Sequence, residues 1–159
     1  MRHILITLML CCISCTGDLD DFDHEEKAFD KNLVGVWLLD GKIRKTEFSN
    51  QSHLVIKTLS IDSSGVFLLE QMQLPESTLK PSYLSKFAGS TSTENGEITL
   101  IAKRKFQFNE GFESEYSEWK KVDDTLFDRH SFHIRGDSLV IEDLRDDIVD
   151  YREIFLKMN

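Results

Sequence analysis

Asn95-Gly96-Glu97-Ile98-Thr99-Leu100-Ile101-Ala102-Lys103-Arg104-Lys105-Phe106-Gln107-Phe108 decides the fold class. Asn-Gly is the pair that tolerates two successive positive φ values, which a two-residue type I′ hairpin turn demands. After it, Ile98, Leu100, Ala102, Phe106 and Phe108 alternate with Thr99, Lys103, Lys105 and Gln107, and only Ile101 and Arg104 disturb the alternation. A period of two sends successive side chains to opposite faces of a strand, whereas a helix needs apolar spacings of three and four. The stretch therefore predicts a β-strand leaving a tight hairpin, with Phe106 and Phe108 on its apolar face.

The same punctuation recurs on both sides. Val34 to Leu39 is β-branched and aromatic, and Asp40-Gly41 after it reads as a tight turn into a second strand over 42–48. Leu54 to Ile61 is apolar on both faces, Asp62-Ser63-Ser64-Gly65 turns it, and Val66 to Leu74 returns, so this hairpin is expected to be the most buried. Further strands are expected over Ser114–Val122, Phe127–Arg135, Ser138–Asp143 after the Gly136-Asp137 turn, and Ile148–Met158. Roughly eight to ten strands in sequence-local hairpins result, with no helix-period stretch long enough for a βαβ crossover. One segment breaks the pattern. Pro81 to Gly89 has Pro at its start, Gly at its end and Tyr83, Leu84 and Phe87 on one side. It predicts a short helix laid over a barrel mouth or flank, with a long irregular loop as the alternative.

A chain of 159 residues that is 40% hydrophobic can build one core, which excludes a disordered or collagen-like polymer. Its 28 acids against 19 bases, a net charge of -9, repel phosphate backbones, so no nucleic-acid partner is expected.

Met1-Arg2-His3 followed by Ile4 to Ile13 is an apolar run behind one positive charge, the layout of a secretory signal peptide and too short to span a bilayer. The run ends in Cys12-Ile13-Ser14-Cys15, which resembles the lipobox of bacterial lipoproteins. That resemblance implies that residues 1–14 are removed and that Cys15 carries the lipid anchor, with Cys11 or Cys12 as the alternative. All three cysteines lie within the first fifteen residues, so the body can form no disulfide. Residues 15–31, with Thr16-Gly17-Asp18-Leu19-Asp20-Asp21-Phe22-Asp23-His24-Glu25-Glu26-Lys27, read as an acidic, solvated tether. Acidic residues behind a lipidated cysteine also resemble the surface-export signal of Bacteroidetes lipoproteins. Asp124-Thr125-Leu126 and Asp137-Ser138-Leu139 resemble the O-glycosylation sequon of the same envelope. The expected location is thus exported and membrane-attached through lipid, in the outer membrane or at the cell surface.

Phe29-Asp30-Lys31-Asn32-Leu33-Val34-Gly35-Val36-Trp37 resembles the opening of a lipocalin-like domain, whose first strand carries Gly-x-Trp, here Gly35 and Trp37. Tyr151-Arg152-Glu153-Ile154-Phe155-Leu156-Lys157 resembles the closing strand of such domains. The resemblance implies an all-β, antiparallel up-and-down barrel over residues 32–159 that removes its own sheet edges. It also implies that Arg152 stacks over Trp37 as barrel-end packing, a cation–π contact. A barrel of this size is either filled by side chains or holds one small ligand. Phe67, Tyr83, Phe106, Phe108, Phe112 and Trp119 are the candidates to line an apolar pocket.

No phosphate loop, nucleophile elbow, zinc-protease motif or paired Cys-x-x-Cys is present, so neither a catalytic residue nor a cofactor is expected. His130 and His133, three apart on a strand, point to opposite faces and predict no metal site. Asp143, Asp146, Asp147 and Asp150 lack the regular spacing of a calcium loop and read as a solvated hairpin tip, with weak calcium binding as the alternative. Arg135-Gly136-Asp137 has the composition a turn needs anyway. Together these features predict a non-catalytic envelope lipoprotein that binds a small apolar or amphipathic ligand. The alternative is a packed barrel serving as a protein-interaction module, either a hydrolase inhibitor or a subunit of an envelope complex.

Overall fold

The computed structural model describes residues 28–39, 43–45, 52–75, 77, 80–109, 118–143 and 151–158. Residues 1–27, on which the expected signal peptide, Cys15 and most of the expected tether fall, lie outside the described residues, as do Asp40-Gly41, Phe112 and the acidic stretch 144–150. Nine strand segments follow one another: β1 Gly35–Leu39, β2 Ile43–Lys45, β3 Ser52–Ile61, β4 Val66–Pro75, β5 Tyr83–Glu94, β6 Glu97–Asn109, β7 Lys120–Arg135, β8 Ser138–Asp143 and β9 Tyr151–Lys157. From β3 to β9 each pairs antiparallel with its chain neighbour, and β9 returns to pair with β1, which pairs with β3. Gly35–Leu38 runs along Ile61–Thr58 and Ile43–Lys45 along Leu54–Ser52. Both segments are antiparallel to the same strand and therefore parallel to each other, so the expected hairpin at Asp40-Gly41 does not form. β1 and β2 are two pieces of one barrel strand, and the sheet is a closed antiparallel barrel of eight strands.

Three tight turns close one end. Asn95 and Gly96, at φ 52 and 80, stand between the paired Glu94 and Glu97, which is the expected type I′ geometry. Asp62 Oδ1 accepts from the amides of Ser64 and Val66 at 2.8 and 3.0 Å and so organises the turn between β3 and β4. Gly136, at φ 56, turns β7 into β8. The chain entering β1 plugs this same end. Thr93 donates its amide to the Ala28 carbonyl at 3.1 Å, Asp30 donates its amide to Thr93 Oγ1 at 2.8 Å, and Lys31 Nζ donates to the Ser63 carbonyl at 2.8 Å. A single 3-10 turn, Lys31–Leu33, then buries Leu33 completely. Ala28 to Lys31 thus bond to the turns that close this end.

Two strand readings are corrected. Pro81 to Gly89 is no helix: Tyr83–Ser90 lies in register against Gln73–Val66 and, on its other side, against β6. Ladders on both sides satisfy its backbone, and this outweighs a weak local preference for helix in so short a segment. Gly89 is a close-approach residue and not a helix end, because a Cβ there would sit 1.9 Å from the Ile101 carbonyl oxygen. Of the strands expected over 114–122 and 127–135, residues 114–117 lie outside the described residues, and 120–122 and 127–135 belong to one strand, β7, whose pairing with β6 slips repeatedly and which carries Arg129 at φ 54.

The slip between β5 and β6 decides which residues face the interior. Gly89 pairs with Ala102 but Ala88 pairs with Arg104, leaving Lys103 as the extra residue of a bulge. An extra residue inverts the inside–outside phase of a strand. Ile98, Leu100 and Ala102 face inward and are fully buried. Past the bulge Lys105 and Gln107 lie opposite Phe87 and Ser85 on the inner face, and Phe106 and Phe108 lie opposite Lys86 and Leu84 on the outer face.

Candidate functional site

The interior has two chemically distinct halves. Toward the tight turns it is packed: Trp37, Leu59, Leu69, Leu100, Phe127, Ile141 and Phe155 are all between 0% and 6% exposed. Trp37 Nε1 donates to the Leu33 carbonyl at 2.8 Å, so the ring's only polar atom is satisfied inside the plug. Toward the other end, where the connections are 46–51, 76–82, 110–119 and 144–150, the inward positions turn polar. Register places Lys57, Gln71, Ser85 and Gln107 in one row across β3 to β6, and Val55, Gln73 and Tyr83 in the next row outward along the barrel.

Lys57 anchors this chamber. It shares strand phase with Leu59 and Ile61, so the fold sends it inward. Its Nζ donates to both carboxylate oxygens of Glu153 at 2.7 Å, and the two residues are only 8% and 5% exposed. Glu153 likewise shares phase with the buried Phe155 on β9. The ammonium also stands 5.5 Å from the Phe127 ring centroid and 6.0 Å from that of Phe155, at the ceiling of the packed half. Beside the pair, Ser85 is 2% exposed, and Lys105 Nζ lies 5.2 Å from the Phe87 ring centroid. Withdrawing two charges from water is costly, and a well-packed apolar pair would serve stability as well or better. A buried ion pair above an apolar floor marks where the inward face of the barrel changes from apolar to polar.

Of the six residues expected to line an apolar pocket, Phe112 lies outside the described residues, and the other five do not converge on one interior site. Phe67 is 1% exposed within the packed half, and Tyr83 lies in the polar rows. Phe106 and Phe108 face outward because of the bulge, Phe108 at 41% exposure, and Trp119 packs against Phe106 with centroids 6.1 Å apart. The aromatic residues were legible from the alternation; the bulge that reverses their facing was not. Sequence reasoning missed Lys57 and Glu153. The available signal was a charge in phase with buried apolar neighbours, Lys57 with Leu59 and Ile61 and Glu153 with Phe155.

Gly35 and Trp37 hold the barrel-end positions expected of them, but the cation over Trp37 is Lys157, with Nζ 5.1 Å from the ring centroid. Arg152 instead lies on the outer face, its Nε 3.1 Å from Glu142 Oε1. Strand phase explains the exchange: Trp37 pairs with Lys157, whereas Arg152 pairs with Glu142 across β8. His130 is buried and tilted against Phe127 at 5.0 Å, and among the described residues no cluster of His, Cys, Asp or Glu could hold a metal. Arg129 donates from Nε to Glu97 Oε2 at 2.7 Å, and this hydrogen bond and charge hold its guanidinium above its ordinary value, so it stays charged.

No family model, curated protein or solved structure matches this chain.

Proposed function

We propose that the chain is a non-catalytic, lipid-anchored envelope protein whose barrel binds one small amphipathic ligand. The polar part of that ligand sits in the chamber of Lys57, Gln71, Ser85, Gln107 and Glu153. The observation that carries the reading is the change of the inward face from apolar to polar at the buried Lys57–Glu153 pair. Closed barrels that bind small molecules take them at the mouth, with a few placed polar groups fixing orientation. Filling of the lower half by Trp37, Leu59, Leu100, Phe127 and Phe155 favours an amphipathic ligand over a purely apolar one. Attachment through Cys15 and outer-membrane or surface location extend the lipobox and tether resemblances.

Native mass spectrometry of the full chain, incubated with a lipid and small-molecule extract of bacterial envelopes, tests this. A discrete added mass is expected, and it is expected to be lost when Lys57→Met and Glu153→Gln are combined. A clean unliganded mass across all extracts overturns the reading. In that case the alternative, a protein-interaction module, gains from one observation: Phe108, Ile154 and Leu156 are exposed on the outer face at 41%, 38% and 43%.

A further inference from the structure

The end of the barrel opposite the polar chamber holds a cleft of about 570 Å³ between the N-terminal plug and the β7–β8 hairpin. Asp30, Asn32, Trp37, Phe132, Ile134 and Lys157 line it. Lys57, Lys86, Lys103, Arg129 and Arg152 each stand against a carboxylate. Lys157, in the same acid-rich chain, stands over the Trp37 ring and has no carboxylate partner among the described residues. Its path is built into the fold. A Cβ on Gly35 would come 3.1 Å from Lys157 Cε, so the glycine makes room for the lysine stem. Trp37 is fixed at its edge by the Leu33 carbonyl, which leaves its face to the cation.

An ammonium at the rim of a cleft, supported by a ring and not by an acid, retains capacity for a charge-assisted hydrogen bond. Asp30 sets the charge that the cleft accepts. Its Oδ1 takes the Asn32 amide at 2.9 Å, so one fixed carboxylate shares the cleft with one ammonium. A dianion brings twice the charge against that carboxylate, so the cleft favours a monoanion over a dianion. Phe132 and Ile134, both half-buried, offer an apolar wall beside it.

We infer that this cleft is a second ligand site, separate from the polar chamber. It takes a small monocarboxylate with an apolar body, the carboxylate on Lys157 Nζ and the body against Phe132 and Ile134. Because Trp37 reports on it directly, the test is fluorescence titration of the full chain carrying Trp119→Phe, with benzoate, hexanoate and inorganic phosphate as probes. A saturable change in Trp37 emission is expected with benzoate and hexanoate, at least tenfold weaker with phosphate. The response is expected to persist in Lys157→Arg and to vanish in Lys157→Met, which keeps an apolar stem over the ring. No saturable response, an equal response in Lys157→Met, or tighter phosphate binding overturns the inference, the first two meaning that Lys157 only covers Trp37. Should Lys157→Met fail to fold, amide shift mapping of the unaltered chain with benzoate decides. Shifts confined to residues 30–37, 95–97, 132–136 and 157 support the site, and shifts elsewhere or none overturn it.

Discussion

The two ends of this barrel are made from the same eight strands and solve opposite problems. At one end the connections between strands are 62–65, 95–96 and 136–137, and a plug from Ala28 to Leu33 seals an apolar floor. At the other the connections run over 46–51, 76–82, 110–119 and 144–150, and the inward rows carry Lys57, Gln71, Ser85 and Glu153. Short turns fix register and let large side chains interlock, so the first end supplies stability. Polar inward rows bury little apolar surface, so this end draws its rigidity from the floor beneath it. Substitutions should therefore divide by end: loss of apolar contacts in the floor is expected to destabilise the fold, whereas replacing the buried ion pair as a whole by apolar residues of like volume is expected to leave stability intact.

The largest expected effect comes from comparing the floor with the ion pair above it. Phe155→Ala removes a fully buried ring and is expected to cost about 3–5 kcal/mol of unfolding free energy. Lys57→Ala is expected to cost about as much, roughly 3–5 kcal/mol, because it leaves Glu153 buried without its partner. Lys57→Met combined with Glu153→Leu removes both charges and keeps the volume. That double variant is expected to unfold within about 1 kcal/mol of the parent, or above it. Urea denaturation of the three variants checks the set. A double variant as unstable as Lys57→Ala would show that the pair is part of the stabilising core and erase the division between the ends.

A smaller effect distinguishes two glycines. Gly89 sits where the bulge brings the Ile101 carbonyl against it, so Gly89→Ala must displace backbone and is expected to cost about 1–3 kcal/mol. Gly96 has nothing within 4 Å of a Cβ, and its constraint is only its φ of 80. Gly96→Ala is expected to cost about 1 kcal/mol, and Gly96→Asn less, since Asn accepts the left-handed region. Thermal melts of the three rank them. Equal costs at both glycines would mean that the bulge is not held by close packing.

Gly89 also marks the boundary of what the sequence made legible. Turn chemistry at Asp62, Asn95-Gly96 and Gly136 and the alternation in β4 and β6 are local signals, and they suffice for an antiparallel barrel joined by hairpins. The phase reversal at Lys103 is a property of two strands together and leaves no periodic signature in either. Reading Ile98 to Phe108 as a single alternation therefore places Phe106 and Phe108 on the wrong face, and with them the expected pocket. The same holds for Trp37, whose cation is chosen by the register of β9 against β1, not by the nature of the side chain: Lys157 and Arg152 are both basic, and only one pairs opposite the ring.

The smallest expected effect tests that reversal directly. Phe108 is 41% exposed and lies opposite Leu84 on the outer face, so Phe108→Gln removes little buried area. Its expected change in unfolding free energy is within about 0.5 kcal/mol, the range of surface substitutions that disturb no special feature. Phe87→Gln, on the inner face of the neighbouring strand and packed against the core, is expected to cost several times more, about 2–3 kcal/mol. The alternation taken without the bulge predicts a large loss for Phe108 as an inward residue. Comparable losses at the two positions would put Phe108 inside the barrel, restore the apolar pocket, and remove the physical ground for a polar chamber at this end.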